Sequence, residues 1–179
     1  MANLYLVGLP GAGKTTVGRI VSRRLNLRFV DLDRLITERE GATISELYHA
    51  DEKAFRRKET EALVWVNENL DRCVVATGGG IVETPENMEL LRKEKVLYVV
   101  RHPRSILTTL KTEKRPVFHD DPNRIYPIAR RRVPLYESIA DARVTNNRSL
   151  HSCIGRVLAQ LEEQGFPNEK NTIEKREDE

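Results

Sequence analysis

Residues 4–16 read Leu4-Tyr5-Leu6-Val7-Gly8-Leu9-Pro10-Gly11-Ala12-Gly13-Lys14-Thr15-Thr16, and the fold is decided there. Leu4–Val7 is a short apolar run of the kind that fills a strand covered on both faces. Gly8 to Thr15 follows with the spacing Gly-x4-Gly-Lys-[Ser/Thr]. Val17, Ile20, Val21 and Leu25 then recur at intervals of three and four, the mark of an amphipathic helix. Strand, glycine loop and helix in that order form a phosphate cradle. The glycines let successive backbone N–H groups turn inward onto phosphate oxygens, and the helix N-terminus adds its positive end. Gly11, Ala12, Gly13, Lys14, Thr15 and Thr16 are the residues expected along a nucleoside triphosphate. Lys14 reaches its outer phosphates and the Thr15 hydroxyl can ligate Mg²⁺. A chance glycine-rich turn would not carry both flanks.

The alternation continues outward. Leu27–Val30, Cys73–Ala76, Val96–Val100 and Ala142–Thr145 read as further strands, mostly apolar on both faces. Between and after them, Leu63, Val66 and Leu70, then Ile154, Val157, Leu158 and Leu161, repeat at helical spacing. This predicts a doubly wound α/β domain, a three-layer sandwich with a five-stranded parallel sheet. Thr43-x-x-Glu46 is a capping-box pattern, and Thr84-Pro85 places an N-cap before proline. The 179 residues suffice for one domain, expected over 1–164, with no internal repeat and no linker. Residues 165–179 hold eight charges and few apolar residues, so they are expected to be a solvated tail.

Thirty basic and 27 acidic side chains leave a net charge of +3, but its distribution is uneven. Residues 111–132 carry seven basic and three acidic side chains, a net of +4, so the remainder sums to −1. One basic segment on a near-neutral body suits capture of a small polyanion better than nucleic-acid binding. Aromatic residues, at 6%, are too few for base-stacking platforms. No run of about 18 apolar residues is present, so no membrane contact is expected. Neither secretory nor transit features precede Leu4, and Cys73 and Cys153 are 80 residues apart without metal-binding spacing. A cytoplasmic protein with two reduced thiols is expected.

Further features bear on chemistry. No Asn-Lys-x-Asp base-reading motif occurs, which excludes the common GTPase pattern. Asp31 and Asp33 follow the second strand in Phe29-Val30-Asp31-Leu32-Asp33. If the strand runs through them, both face the crevice at the carboxyl end of the sheet, where metal and substrate roles lie. The alternative is a helix N-cap followed by a first-turn acid. Gly78-Gly79-Gly80 ends the third strand, where the lack of Cβ atoms would let a ligand lie against the backbone. Phe55-Arg56-Arg57-Lys58-Glu59 and Arg130-Arg131-Arg132, taken alone, read as solvated helix faces.

Taken together, these residues resemble the shikimate kinase family of P-loop small-molecule kinases. The resemblance covers about residues 4–160. It is carried by the phosphate loop through Arg19, the Asp31-x-Asp33 pair, Phe55-Arg56-Arg57-x-Glu59, Gly78-Gly79-Gly80, Lys114-Arg115-Pro116 and Arg132-x-Pro134-Leu135-Tyr136. It implies a P-loop kinase fold with a mobile lid over about 111–123. It also implies transfer of the γ-phosphate of ATP to the 3-hydroxyl of shikimate, a step of chorismate and aromatic amino-acid biosynthesis. By the family pattern, Arg56 and Arg132 hold the substrate carboxylate, and Glu59 orients Arg56. Asp33 orients the attacking hydroxyl and Gly79, flanked by Gly78 and Gly80, meets substrate through backbone. Asp31 and Thr15 attend Mg²⁺, and Arg115 swings over the transferring phosphoryl group. Lys14, Asp33 and Arg115 are thus the expected catalytic residues, in a monomer acting on small molecules.

The chain also departs from the pattern. Thr108-Thr109 stands where an Arg-Thr pair commonly precedes the lid, and Arg115-Pro116-Val117-Phe118 replaces Arg-Pro-Leu-Leu. Phe118 or the loop Asn146-Asn147-Arg148 are the alternative adenine contacts. Gluconate kinase shares the phosphate loop and lid but has no reason to combine Asp33, Arg56, Gly79 and Arg132. A nucleotide-binding regulatory module is the other competing reading.

Overall fold

A computed structural model describes residues 2–109, 121–147 and 149–166. Five strands, β1 (Leu4–Val7), β2 (Arg28–Asp31), β3 (Cys73–Ala76), β4 (Lys95–Val100) and β5 (Ala142–Thr145), form one parallel sheet in the order β2-β3-β1-β4-β5. Eight helices connect and cover it among the described residues: α1 (Lys14–Arg24), α2 (Leu32–Glu40), α3 (Ile44–Ala50), α4 (Glu52–Asn69), α5 (Pro85–Leu91), α6 (Pro103–Leu107), α7 (Ile125–Ile139) and α8 (Leu150–Glu163).

The period of two along β1 explains the layering. Leu4 and Leu6 point to one face and pack with Val17 and Val21 of α1 and Val157 and Leu161 of α8. Tyr5 and Val7 point to the other, where Leu63 and Val66 of α4, Leu91 of α5 and Tyr136 of α7 cover them. All four β1 residues are buried, as a strand sandwiched between helices must be. From β1 the chain passes to the edge strand β2, returns to β3 beside β1, and then crosses to β4 and β5 on the other side. The crevice at the carboxyl end of β1 therefore lies at the switch of direction, where open α/β sheets bind ligands.

Local signals mostly form as read. Thr43 and Glu46 make the reciprocal capping box, with Glu46 N donating to Thr43 Oγ1 at 3.2 Å and Thr43 N to Glu46 Oε2 at 2.8 Å. Thr84 is the N-cap before Pro85, but its side chain makes no capping hydrogen bond. The second strand begins one residue later than expected. Asn26 takes a left-handed φ of 54° and Leu27 N donates to Ser22 O at 2.8 Å, so Leu27 still belongs to the C-terminal cap of α1. At its other end β2 stops at Asp31 and α2 starts at Leu32. Asp31 and Asp33 thus do not alternate along one strand.

Past the end of α8, Gly165 and Phe166 still pack. Gly165 adopts φ 66°, its N–H reaches Glu162 O at 3.0 Å, and Phe166 N reaches Leu161 O at 2.9 Å. This is the paired-bond helix stop whose next residue folds an apolar side chain back onto the helix. Phe166 is 8% exposed and belongs to the core beside α1 and α8. The rest of the expected tail, 167–179, and the lid residues 111–120 lie outside the described residues.

Candidate active site

The phosphate loop has the geometry that an anion needs. Gly13 takes φ 98° immediately before α1, a conformation that only glycine adopts without strain. No side chain caps α1 and no acid stands in its first turn, so its leading N–H groups face the loop without a built-in anion. Lys14, 7% exposed, folds back so that Nζ donates to Gly8 O at 2.7 Å and Leu9 O at 3.0 Å. Two other strand ends brace the loop through its carbonyls. Arg101, after β4, donates from Nη1 to Gly11 O at 3.0 Å, and Asn146, after β5, donates from Nδ2 to Ala12 O at 2.9 Å. Sequence reading missed the Arg101 brace. Asn146, expected as an adenine contact, is committed to the loop, and Asn147 Oδ1 accepts from His102 N at 2.7 Å. Phe118, Arg148 and Arg115, expected on the lid, lie outside the described residues.

Asp31 is the N-cap of α2, with Oδ1 accepting from Arg34 N at 3.3 Å, while its Oδ2 accepts from Thr15 Oγ1 at 2.9 Å. The cap and the proposed metal position are therefore compatible, one oxygen for each. A hydroxyl and a carboxylate side by side at the phosphate loop are hard oxygen donors, and they fit Mg²⁺, which takes few protein ligands beside water and phosphate. Asp33 sits in the first turn of α2 and reaches the triglycine loop: its Oδ1 lies 2.8 Å from where a Cβ on Gly78 would stand.

The three glycines serve three different neighbours. At the Gly78 position, Glu59 Oε1 and Asp33 Oδ1 occupy the space a side chain would fill. At Gly79 the Pro10 ring is 2.6 Å from an added Cβ, and a Cβ added at Gly80 would run into Arg56 Nη1. Close approach of protein groups, besides any ligand, therefore demands the run. None of the three has a positive φ. Gly79 O also accepts the hydroxyl of Tyr136, a residue whose ring is fully buried against Tyr98.

Arg56 and Arg132, 76 positions apart in sequence, converge below this loop. Arg56 Nη1 donates to Glu59 Oε2 at 2.6 Å and Nη2 to Glu83 Oε2 at 3.1 Å, with Glu52 Oε1 at 3.3 Å. Arg132, 2% exposed, donates to the same Glu83 oxygen. Glu59 is also 2% exposed, and burial, with Asp33 adding to it, pushes its carboxyl up to about 7 despite the opposing charge of Arg56. Burial would also raise the Glu83 carboxyl, but hydrogen bonds from Arg132 and Arg131 and the charge of Arg56 hold it below the usual range. Glu83 carried no sequence signal; only its place between three arginines marks it.

A parallel α/β sheet with a phosphate loop at its switch point defines a P-loop phosphotransferase. The family model for shikimate kinase matches residues 10–162. A bifunctional shikimate kinase/3-dehydroquinate synthase of Thermotoga maritima is 38% identical over 96% of the chain, which spans 34% of that protein's length. A shikimate kinase of Burkholderia lata is 40% identical over 90% of both chains. The solved shikimate kinase of Acinetobacter baumannii in complex with shikimate superposes with a TM-score of 0.85 at 31% identity, covering 92% of this chain and 94% of that one. The chain belongs to the shikimate kinase family, whose members are ATP-dependent kinases. No helix among the described residues is long and apolar enough to cross a membrane.

Proposed function

We propose that this protein transfers the γ-phosphoryl group of ATP to the 3-hydroxyl of shikimate, in the cytoplasm and with Mg²⁺. The observation that carries the reading is the convergence of Arg56 and Arg132 on one carboxylate oxygen beside Gly78–Gly80 and Asp33. Two guanidiniums held this way supply the charge-assisted forks that a ring carboxylate needs. With the carboxylate there, Asp33 is the acid on the phosphate-loop side of the crevice. It accepts from the ring hydroxyls, aims the reacting oxygen at the γ-phosphorus and receives its proton.

Phosphoryl transfer needs positioning and charge neutralisation more than covalent chemistry. The N–H groups of residues 11–16 hold the phosphates, and Lys14 exchanges its contacts with Gly8 O and Leu9 O for phosphate oxygens. Thr15 and Asp31 would hold Mg²⁺, which neutralises phosphate charge when bound. Arg115 is proposed, from the resemblance alone, to meet the transferring group.

The test is a coupled ADP-release assay with shikimate, gluconate, a nucleoside monophosphate and no acceptor, with and without Mg²⁺. Release that depends on both shikimate and Mg²⁺ is expected. Turnover of gluconate or a nucleoside monophosphate, without turnover of shikimate, would overturn the acceptor assignment and leave the phosphate loop untouched.

A further inference from the structure

Glu83 lies in the short 3-10 turn Ile81–Glu83 that follows the triglycine loop. Its Oε2 accepts from Arg56 Nη2 and Arg132 Nη2, and its Oε1 accepts from both Nε and Nη2 of Arg131. Three guanidiniums from two helices share this one side chain. The side-on fork of an arginine is its Nε–H with the neighbouring Nη2–H, and a carboxylate is held best when it takes both. In Arg132, Glu83 occupies Nη2, while Nε is buried with no partner.

We propose that Glu83 is an internal carboxylate ligand of the Arg56–Arg132 clamp, displaced from Arg132 when the acceptor's carboxylate takes that fork, and that it thereby sets affinity for anionic acceptors. The proposal rests on the reading of Arg56 and Arg132 as the acceptor clamp. Arg132 is buried and Arg56 partly buried, and two such guanidiniums repel each other without an anion between them, so Glu83 keeps the empty clamp assembled. An incoming carboxylate engages Nε and Nη2 of Arg132 together only after Glu83 has released Nη2. Release does not strand Glu83, because Arg131, with a side chain 61% exposed at the rim, keeps hold of its other oxygen. Arg131 is the outer anchor toward which Glu83 withdraws. Apparent affinity is then reduced by the fraction of molecules in which Glu83 still holds the fork.

Calorimetric titration of the full chain with shikimate and with its uncharged methyl ester tests this. Glu83→Gln is expected to tighten shikimate binding about five- to tenfold, by removing the competing charge, and to leave the ester within about twofold. Arg131→Ala, at an exposed site, is expected to weaken shikimate about threefold and to have no effect once Glu83 is glutamine. Unchanged or weaker shikimate binding by Glu83→Gln, or an equal shift for the ester, would make Glu83 a structural brace and overturn the proposal. If Glu83→Gln does not fold, Arg131→Ala decides: unchanged or tighter shikimate binding overturns it. Failure of the clamp itself has a different signature, namely shikimate affinity unaltered by Arg132→Lys in a folded protein.

Discussion

Asp31 and Asp33 show how one residue can satisfy two readings. Asp31 is a helix cap through one oxygen and a partner of Thr15 through the other. Its replacement would mix a loss of about 1 kcal/mol in helix capping with any effect on metal. Asp33 is the cleaner probe, since its side chain makes no N-cap and its carboxylate reaches Gly78. Asp33→Asn keeps the shape but removes the charge and the basic oxygen. A fall in kcat of about 10²-fold or more is expected, in line with loss of a positioned base. ATP affinity, measured by calorimetry, is expected to stay unchanged. A kcat within a few-fold of the parent would return Asp33 to a first-turn acid that favours the α2 dipole.

At the scale of elements, the triglycine loop lies against the phosphate loop at Pro10 and against the Arg56 guanidinium. Its members touch different partners, so neighbouring alanine substitutions should separate two functions. In Gly79→Ala the new methyl group meets the Pro10 ring and the Pro10 backbone nitrogen 2.9 Å away, inside the phosphate loop. Weaker ATP binding is expected. In Gly80→Ala the methyl group meets Arg56 Nη1, which cannot simply swing aside because Glu52, Glu59 and Glu83 hold its guanidinium. Here a raised KM for shikimate of about tenfold or more is expected, with ATP binding kept, because a clamp displaced by about an ångström loses its fork geometry. Binding isotherms for both ligands on both variants check the split. An equal loss of both ligands in each variant would mean the loop acts only as scaffold.

For the molecule as a whole, Glu59 ties stability to pH. Its carboxyl is raised from 4.5 to about 7 by burial. A raised acid favours the folded state while protonated, so its contribution is full below about pH 4.5 and is lost as pH rises through about 7. Glu59→Gln should therefore flatten the decline in stability over that interval, read as the difference between denaturation midpoints of parent and variant at each pH. Parallel curves would show that Glu59 is ionised throughout. The source of this coupling was not visible in sequence, where Phe55 to Glu59 reads as a charged helix face. What the sequence determined by itself is local. The phosphate loop, β1, β3 and β5, the Thr43 capping box and the helix periods follow from contacts within a few residues, so composition and spacing encode them directly. The family motifs also brought Arg56, Asp33 and Arg132 to notice by resemblance. The carboxylate that the two arginines share is another matter: Glu83 meets Arg56 across 27 positions and Arg132 across 49, and Arg101 meets Gly11 across 90. Burial at Phe166 likewise depends on α1 and α8 standing side by side. Such pairings have no period and no fixed spacing, because the sheet order sets them once distant strands have packed; only the tertiary structure decides which charges face each other in a dry site.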